Sequence, residues 1–250
     1  MDSEKRSIVK AYDESSDFWL KKSKVSDRYL ELIQASIKPE HSVLDLGTGG
    51  GRMVFLLAES ARRIVGVDLS AVLIEGAKEK VWAFNYKNLA FVQGDLEDQR
   101  TYKICIDENE GKPFDAMISN VLIRKDACRI EPVLEHCKGA ISPGGQLILR
   151  IESSGDLPEI MSDLPCYGKE EIQTVLDRYG YRTEMLEEER FSQKFSGPEV
   201  FQGFLDKTGL SNHLTSTDQM ERAMIRARSL EKKDGIKVTR SYWIVKAVIP

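Results

Sequence analysis

Three acids stand at or near the ends of three apolar runs: Asp45 in VLDLG, Asp68 in VGVDLS and Asp95 in QGDLED. Just after the first comes a cluster of glycines, Gly47, Gly49, Gly50 and Gly51. A glycine inside a regular element costs roughly 0.5–1 kcal/mol relative to alanine, and a single one satisfies a strand-to-helix turn. Four of them point to a ligand that must touch the backbone. A P-loop requires Lys-Ser or Lys-Thr after its last glycine; Arg52-Met53 stand there, so that reading fails. A dinucleotide fingerprint begun at Gly47 and Gly49 meets Arg52 where its third glycine belongs, which weakens a nicotinamide or flavin nucleotide. Asp68 follows the glycines by about 20 residues, where an acid accepts hydrogen bonds from both hydroxyls of a ribose. Ser70 is the better N-cap for the next helix, which leaves Asp68 to a ligand. Asp95 can accept from the exocyclic amine of an adenine while the next backbone N–H meets a ring nitrogen. Alone Asp95 would be an ordinary loop acid; with Asp45, Gly47, Gly49 and Asp68 at successive strand ends, chance is a poor account of the set.

The elements that must position these groups alternate along the chain. Strands are expected at Ser42–Leu46, Ile64–Val67, Leu89–Gln93, Phe114–Ser119 and Gln146–Ile151, the last introduced by a turn at Pro143-Gly144-Gly145. Helices are expected at Gly51–Arg62, Ser70–Phe84, Lys125–Ala140 and Lys169–Tyr179, after an N-terminal helical region over about Glu4–Ile37. The central strands are near-continuous apolar runs, as strands covered on both faces should be. This alternation predicts an α/β fold with a parallel sheet and helices on both faces. Ligands of such sheets bind at the carboxyl ends of the strands, where the glycines lie.

With these pieces in order, the sequence resembles the S-adenosylmethionine-dependent methyltransferases of the Rossmann-like (class I) type, small-molecule branch. The matching pieces are VLDLGTGGG, VGVDLS, QGDLED, FDAMISN and SPGGQLIL, strongest over residues 40–152. The resemblance implies one domain over 1–250 and a seven-stranded, mostly parallel sheet with an antiparallel last strand. It implies S-adenosyl-L-methionine as cofactor. Asp45 with the backbone at Gly47 and Gly49 would hold its methionine moiety, and Asp68 its ribose. Leu69 would pack on the adenine, Asp95 and Leu96 would face the adenine edge, and Asn120 would lie near the transferred methyl. This donor carries no phosphate, so the missing third glycine is no obstacle, and its cationic groups suit a pocket rich in acids.

The acceptor is less legible. The stretch SNVLIRKD departs from the NPPY-like signature of amino-methylating nucleic-acid enzymes and carries Ile123 and Arg124 where small-molecule relatives have a histidine or aromatic residue. Arg124 is a candidate partner for an acidic acceptor, against a solvated residue at a helix start. His213 is a candidate base. Residues 1–38 resemble a helical lid, with Tyr12, Phe18 and Trp19 facing the site or stapling the helix to the core. YRTEMLEEERF and IKVTRSYWIVKAVI read as the last two strands, paired as an antiparallel hairpin, yet residues 192–235 separate them, far beyond a hairpin loop. Met220, Ala223, Met224, Ala227 and Leu230 recur there at helical spacing, with Arg222, Arg226 and Arg228 alongside. The expected function is methyl transfer to a small molecule. A non-catalytic S-adenosylmethionine-binding regulator and a nicotinamide-dependent oxidoreductase are the alternatives.

Composition bounds the rest. Of 250 residues, 41% are hydrophobic and 30% charged, with a net charge of -4, which argues against nucleic acid as the main partner. Four cysteines without CxxC spacing read as reduced thiols of a cytoplasmic protein, and three scattered histidines offer no metal site. The charged start MDSEKRSIVK has no signal core, and no apolar run reaches the ~20 residues of a membrane span.

Overall fold

The computed structural model describes residues 10, 13, 14, 26–125, 128–161, 164, 166–208, 210 and 217–250. Tyr12, Phe18, Trp19, Gly209 and His213 lie outside the described residues. Helix α1 (Asp27–Ser36) precedes β1 (Ser42–Leu46), α2 (Arg52–Leu56), β2 (Arg63–Asp68), α3 (Ala71–Phe84) and β3 (Leu89–Gln93). Then follow α4 (Gln99–Glu108), β4 (Phe114–Asn120), α5 (Ile130–Lys138), β5 (Ile141–Glu152) and α6 (Lys169–Arg178). The chain ends with β6 (Arg182–Phe195), α7 (Pro198–Lys207), α8 (Thr217–Ser229) and β7 (Ile236–Val248).

The strands form one seven-stranded sheet in the order β3-β2-β1-β4-β5-β7-β6. β7 runs antiparallel to both β5 and β6, and every other neighbouring pair is parallel. The helices start where local chemistry caps them. Ser26, Ser70 and Asp98 each accept a hydrogen bond from a first-turn backbone N–H, and Asn85 closes α3 in the left-handed conformation.

Three apolar clusters fill the molecule. One face of the sheet buries Leu44, Leu46, Val65, Val67, Met117 and Leu149 against α4, α5 and α6. The other buries Val43, Ile64, Ile118, Ile148 and Ile244 against α1, α2 and α3. There the Tyr29 hydroxyl reaches the Ser119 and Ile148 carbonyls at 2.6 and 3.0 Å and accepts from the Ser119 N–H at 3.1 Å, fixing α1 over β4 and β5. A third cluster joins Leu157, Ile160 and Phe195 to Phe201 and Leu205 of α7 and to Ala223, Met224 and Ala227 of α8.

Several boundaries differ from the sequence reading. α4 was not anticipated: its stripe of Thr101, Tyr102 and Cys105 is narrow and set among charges, and only contact with the sheet makes it helical. α5 begins at Ile130 and not near Lys125, because Arg124 and Cys128 exchange both backbone hydrogen bonds at 3.0 Å in a tight bridge. The β6–β7 pairing continues to Phe195↔Ile236, so the excursion between them spans 196–235 and the expected start at Ser192 is four residues early. Among the described residues no helix is long and apolar enough to cross a membrane.

Candidate functional site

Side chains alternate across a strand, so strand register decides which groups share a face. Asp45 lies opposite Gly66 of β2 and Ile118 of β4. Two residues on in each strand, Asp68 and Asn120 therefore project on the same side as Asp45. Asn120 lies opposite Arg150, Glu152 opposite Tyr242, and Tyr242 opposite Glu189. One face, at the carboxyl ends of the parallel strands, thus carries a row running from Asp68 to Glu189.

The half over β1 and β2 is acidic. Asp68 takes the Gly49 N–H at 2.8 Å on one carboxylate oxygen and the Ser70 N–H at 2.9 Å on the other. Burial raises its pKa, against those backbone donors. Asp45 is buried, and its Oδ2 has no hydrogen-bond partner; nor has the Thr48 hydroxyl beside it. Burial pushes the Asp45 carboxyl up to about 7, and the Asp68 charge adds to the rise. An orphaned acid oxygen in a buried setting is costly unless a donor or a positive charge meets it.

The turn above β1 shows why it is glycine. Gly47 and Gly49 both have positive φ, +72° and +54°. A Cβ at Gly47 would stand 2.4 Å from Leu122, whereas one at Gly49 would meet nothing within 4 Å. The first glycine allows close packing, and the second leaves an open cradle with its N–H held by Asp68. Val121 adopts φ +61°, strained for a β-branched residue, which turns the chain sharply after Asn120 and brings Leu122 onto Gly47. The other predicted residues lie along the same rim. Asp95 follows β3 and accepts from the Glu97 N–H at 2.9 Å. Leu69 is half-buried, while Leu96 enters the core beside Tyr102, whose hydroxyl donates to the Leu96 carbonyl at 3.2 Å.

The half over β5, β7 and β6 is a belt of buried charges absent from the sequence reading. Arg150 pairs with Glu189 at 2.9 Å, directs Nη1 towards Asn120 Oδ1 at 3.5 Å, and lies flat 3.5 Å from the Tyr242 ring centroid. Arg240 pairs with Asp156 at 2.8 Å and Glu152 at 3.2 Å, and sits 4.9 Å from the ring of Phe204 in α7. Burial pushes the Asp156 carboxyl up to about 6, against the pull of Arg240. Arg124 is buried and paired with Glu152 at 3.6 Å, which overturns the alternative of a solvated residue at a helix start. One signal for the belt was present, since Arg150 and Glu152 interrupt the apolar strand LILRIE on alternate positions.

A family model described as "Methyltransferase domain" matches residues 37–193, more than half the chain. The chain belongs to this family. It is an S-adenosylmethionine-dependent methyltransferase of the Rossmann-like type. The methyltransferase is 25% identical over 171 residues to a protein-L-isoaspartate O-methyltransferase of Pseudomonas fluorescens, covering 68% of each chain. Its fold is similar to the YcgJ protein of Bacillus subtilis, with TM-score 0.65 and 14% identity over 90% of this chain and 99% of that one. It is similar also to a methyltransferase of Thiobacillus denitrificans solved with S-adenosyl-L-homocysteine, with TM-score 0.58 and 14% identity over 96% and 98%. The donor set suits the family's cofactor. The orphaned Asp45 Oδ2, the open cradle at Gly49 and the strand-end Asp68 match a ligand bringing hydroxyl donors and positive charge.

Proposed function

We propose that this methyltransferase acts on a small polar acceptor held in the half of the crevice between β5–β7–β6 and the helices of segment 196–235. The observation that carries this is the charged belt beside Asn120. Arg150, Glu152, Arg240 and Tyr242 are each no more than 5% exposed, yet they stand between the main core and the third apolar cluster. Buried ion pairs seldom repay their desolvation in stability, so a polar belt at this point serves recognition better than packing. Among the described residues, so enclosed a floor suits a small molecule better than the surface of a folded protein.

On the donor side, Asp45 and the backbone of Gly47 and Gly49 would hold the methionine moiety, and Asp68 the ribose hydroxyls. Asp95 and the Leu96 backbone would meet the adenine edge, Leu69 would pack on the base, and Asn120 would stand beside the transferred methyl. S-adenosylmethionine, when bound, supplies a methyl group already activated by its sulfonium. The chain's residues then orient the acceptor, an effect worth ~7–11 kcal/mol in favourable cases, and exclude water. A general base is required only for an acceptor protonated at neutral pH. The N-terminal segment 1–38, with Tyr12 and Trp19, and the excursion, with His213, would close the remaining sides.

A second reading, a protein carboxyl acceptor, draws on the similarity to the Pseudomonas isoaspartate enzyme. Incubation with radiolabelled methyl donor, fractionated metabolites and an isoaspartyl peptide separates the two. Label in a low-molecular-mass product is expected. Label in the peptide alone would overturn the small-molecule reading, and tight S-adenosylhomocysteine binding with no label anywhere would favour a regulator.

A further inference from the structure

The charges in the belt beside Asn120 answer one another. Arg150 Nε donates to one oxygen of Glu189 at 2.9 Å, and the other oxygen accepts from the Ser26 hydroxyl. Arg240 donates to Asp156 at 2.8 Å, to Gln193 at 3.2 Å and to Glu152 at 3.2 Å. Asp156 also accepts the Ser241 N–H at 2.7 Å, and the second oxygen of Glu152 faces Arg124 at 3.6 Å. Among the described residues the belt therefore sets the guanidinium groups of Arg124, Arg150 and Arg240 against the carboxylates of Glu152, Asp156 and Glu189, with no charge left over.

Tyr242 breaks this pattern. It is 5% exposed, its ring centroid lies 3.5 Å from the Arg150 guanidinium, and it stacks on Phe191 at 6.0 Å. The charges of Arg240, Asp156, Glu152 and Arg150 all act on the phenol, yet among the described residues its hydroxyl has no hydrogen-bond partner. A buried tyrosine hydroxyl ordinarily finds one. Phenylalanine would keep the stacking without the desolvated hydroxyl, so packing alone does not account for a tyrosine here. Its place does: the same Arg150 that covers the ring reaches towards Asn120 Oδ1 at 3.5 Å. We propose that Tyr242 is the acceptor-binding hydroxyl of this crevice, and that the acceptor is a small molecule of no net charge with a polar group hydrogen-bonded to that phenol. The proposal rests on the acceptor half-site described above. The charge follows from the belt, because an ion enclosed among balanced pairs finds no counter-charge there, and a buried unpaired charge costs far more than a buried dipole. Burial raises the pKa of the phenol, so it stays neutral and can both donate and accept.

The test separates a metabolite extract by ion exchange at neutral pH into anionic, cationic and uncharged fractions. Each is incubated with radiolabelled S-adenosylmethionine and either the wild type or Tyr242→Phe. Labelled product is expected from the uncharged fraction with the wild type. For Tyr242→Phe, the amount of that fraction giving half-maximal rate should rise roughly five- to tenfold, the weight of about one hydrogen bond, with a maximal rate within about twofold of the wild type. The melting temperature and the calorimetric affinity for S-adenosylhomocysteine should not fall, since the variant loses only a hydroxyl that pairs with nothing in the unliganded protein. Product from a charged fraction alone overturns the uncharged acceptor. An unchanged half-maximal amount, or a lowered melting temperature, overturns the role of Tyr242 and leaves the crevice reading standing. If no fraction yields a labelled small molecule with the wild type, the acceptor reading itself falls and this inference with it.

Discussion

At the scale of single residues, the two best-placed acids make separable predictions. Asp68 already takes two backbone N–H groups, and its remaining lone pairs face the rim where ribose hydroxyls would arrive. Hydrogen bonds to a charged acceptor are worth about 1.5–3 kcal/mol each, so Asp68→Ala should weaken S-adenosylhomocysteine binding by at least tenfold in a folded protein. Unchanged affinity by calorimetry would move the cofactor elsewhere. Asp45 predicts a pH dependence. Its pKa is about 7 in the folded chain against an ordinary 3.8, so between those values the native state holds a proton that the unfolded state lacks. Its contribution to stability is therefore full below pH ~4 and is lost as the pH rises to about 7. A cationic ligand prefers the carboxylate, so binding should release a proton below pH 7 and tighten as pH rises through that value. Titration at pH 6 in buffers of different ionisation heat measures the proton directly. Asp45→Asn should abolish the release.

At the scale of elements, α7 and α8 of the excursion share a small separate core with Leu157, Ile160 and Phe195. Phe201 is fully buried there, 5.1 Å from the Phe195 ring, and none of the strand-end acids belongs to that cluster. Phe201→Ala should cost roughly 3–5 kcal/mol, a fall of about 10 °C in melting temperature for a chain of this size. Its S-adenosylhomocysteine affinity should stay within a fewfold of the wild type, while transfer to the acceptor falls with the loss of order around Phe204 and Arg240. A loss of cofactor affinity equal to the loss of activity would show that the excursion builds the donor site after all. The apolar spacing of Ala223, Met224 and Ala227 made α8 legible in advance, because a stripe at helical period specifies its own buried face. α4 was not legible, because its short stripe acquires meaning only against the sheet.

At the scale of the whole molecule, donor binding should stabilise the fold by mass action. At a hundredfold excess over Kd, S-adenosylhomocysteine should add about 2.7 kcal/mol, raising the melting temperature by roughly 5–10 °C, whereas NAD should leave it unchanged. A shift with NAD alone would return the protein to the oxidoreductase reading. The acidic half of the site was determined by sequence alone. Each of its acids is fixed by a short apolar strand and the turn behind it, and a parallel strand buried on both faces announces itself locally in composition. The belt of Arg150, Glu152, Arg240, Tyr242 and Glu189 was decided only by the tertiary structure. Its members come from three strands whose meeting depends on the β5–β7–β6 register, and a shift of one residue would turn Tyr242 to the opposite face. Arg124 gives the same lesson in reverse. Its neighbours in sequence leave open a partner for an acidic acceptor or a solvated helix start, but Glu152, far along the chain, draws it into the interior. Local pattern therefore placed the strand-end acids, and long-range strand pairing decided which buried charges lie beside them.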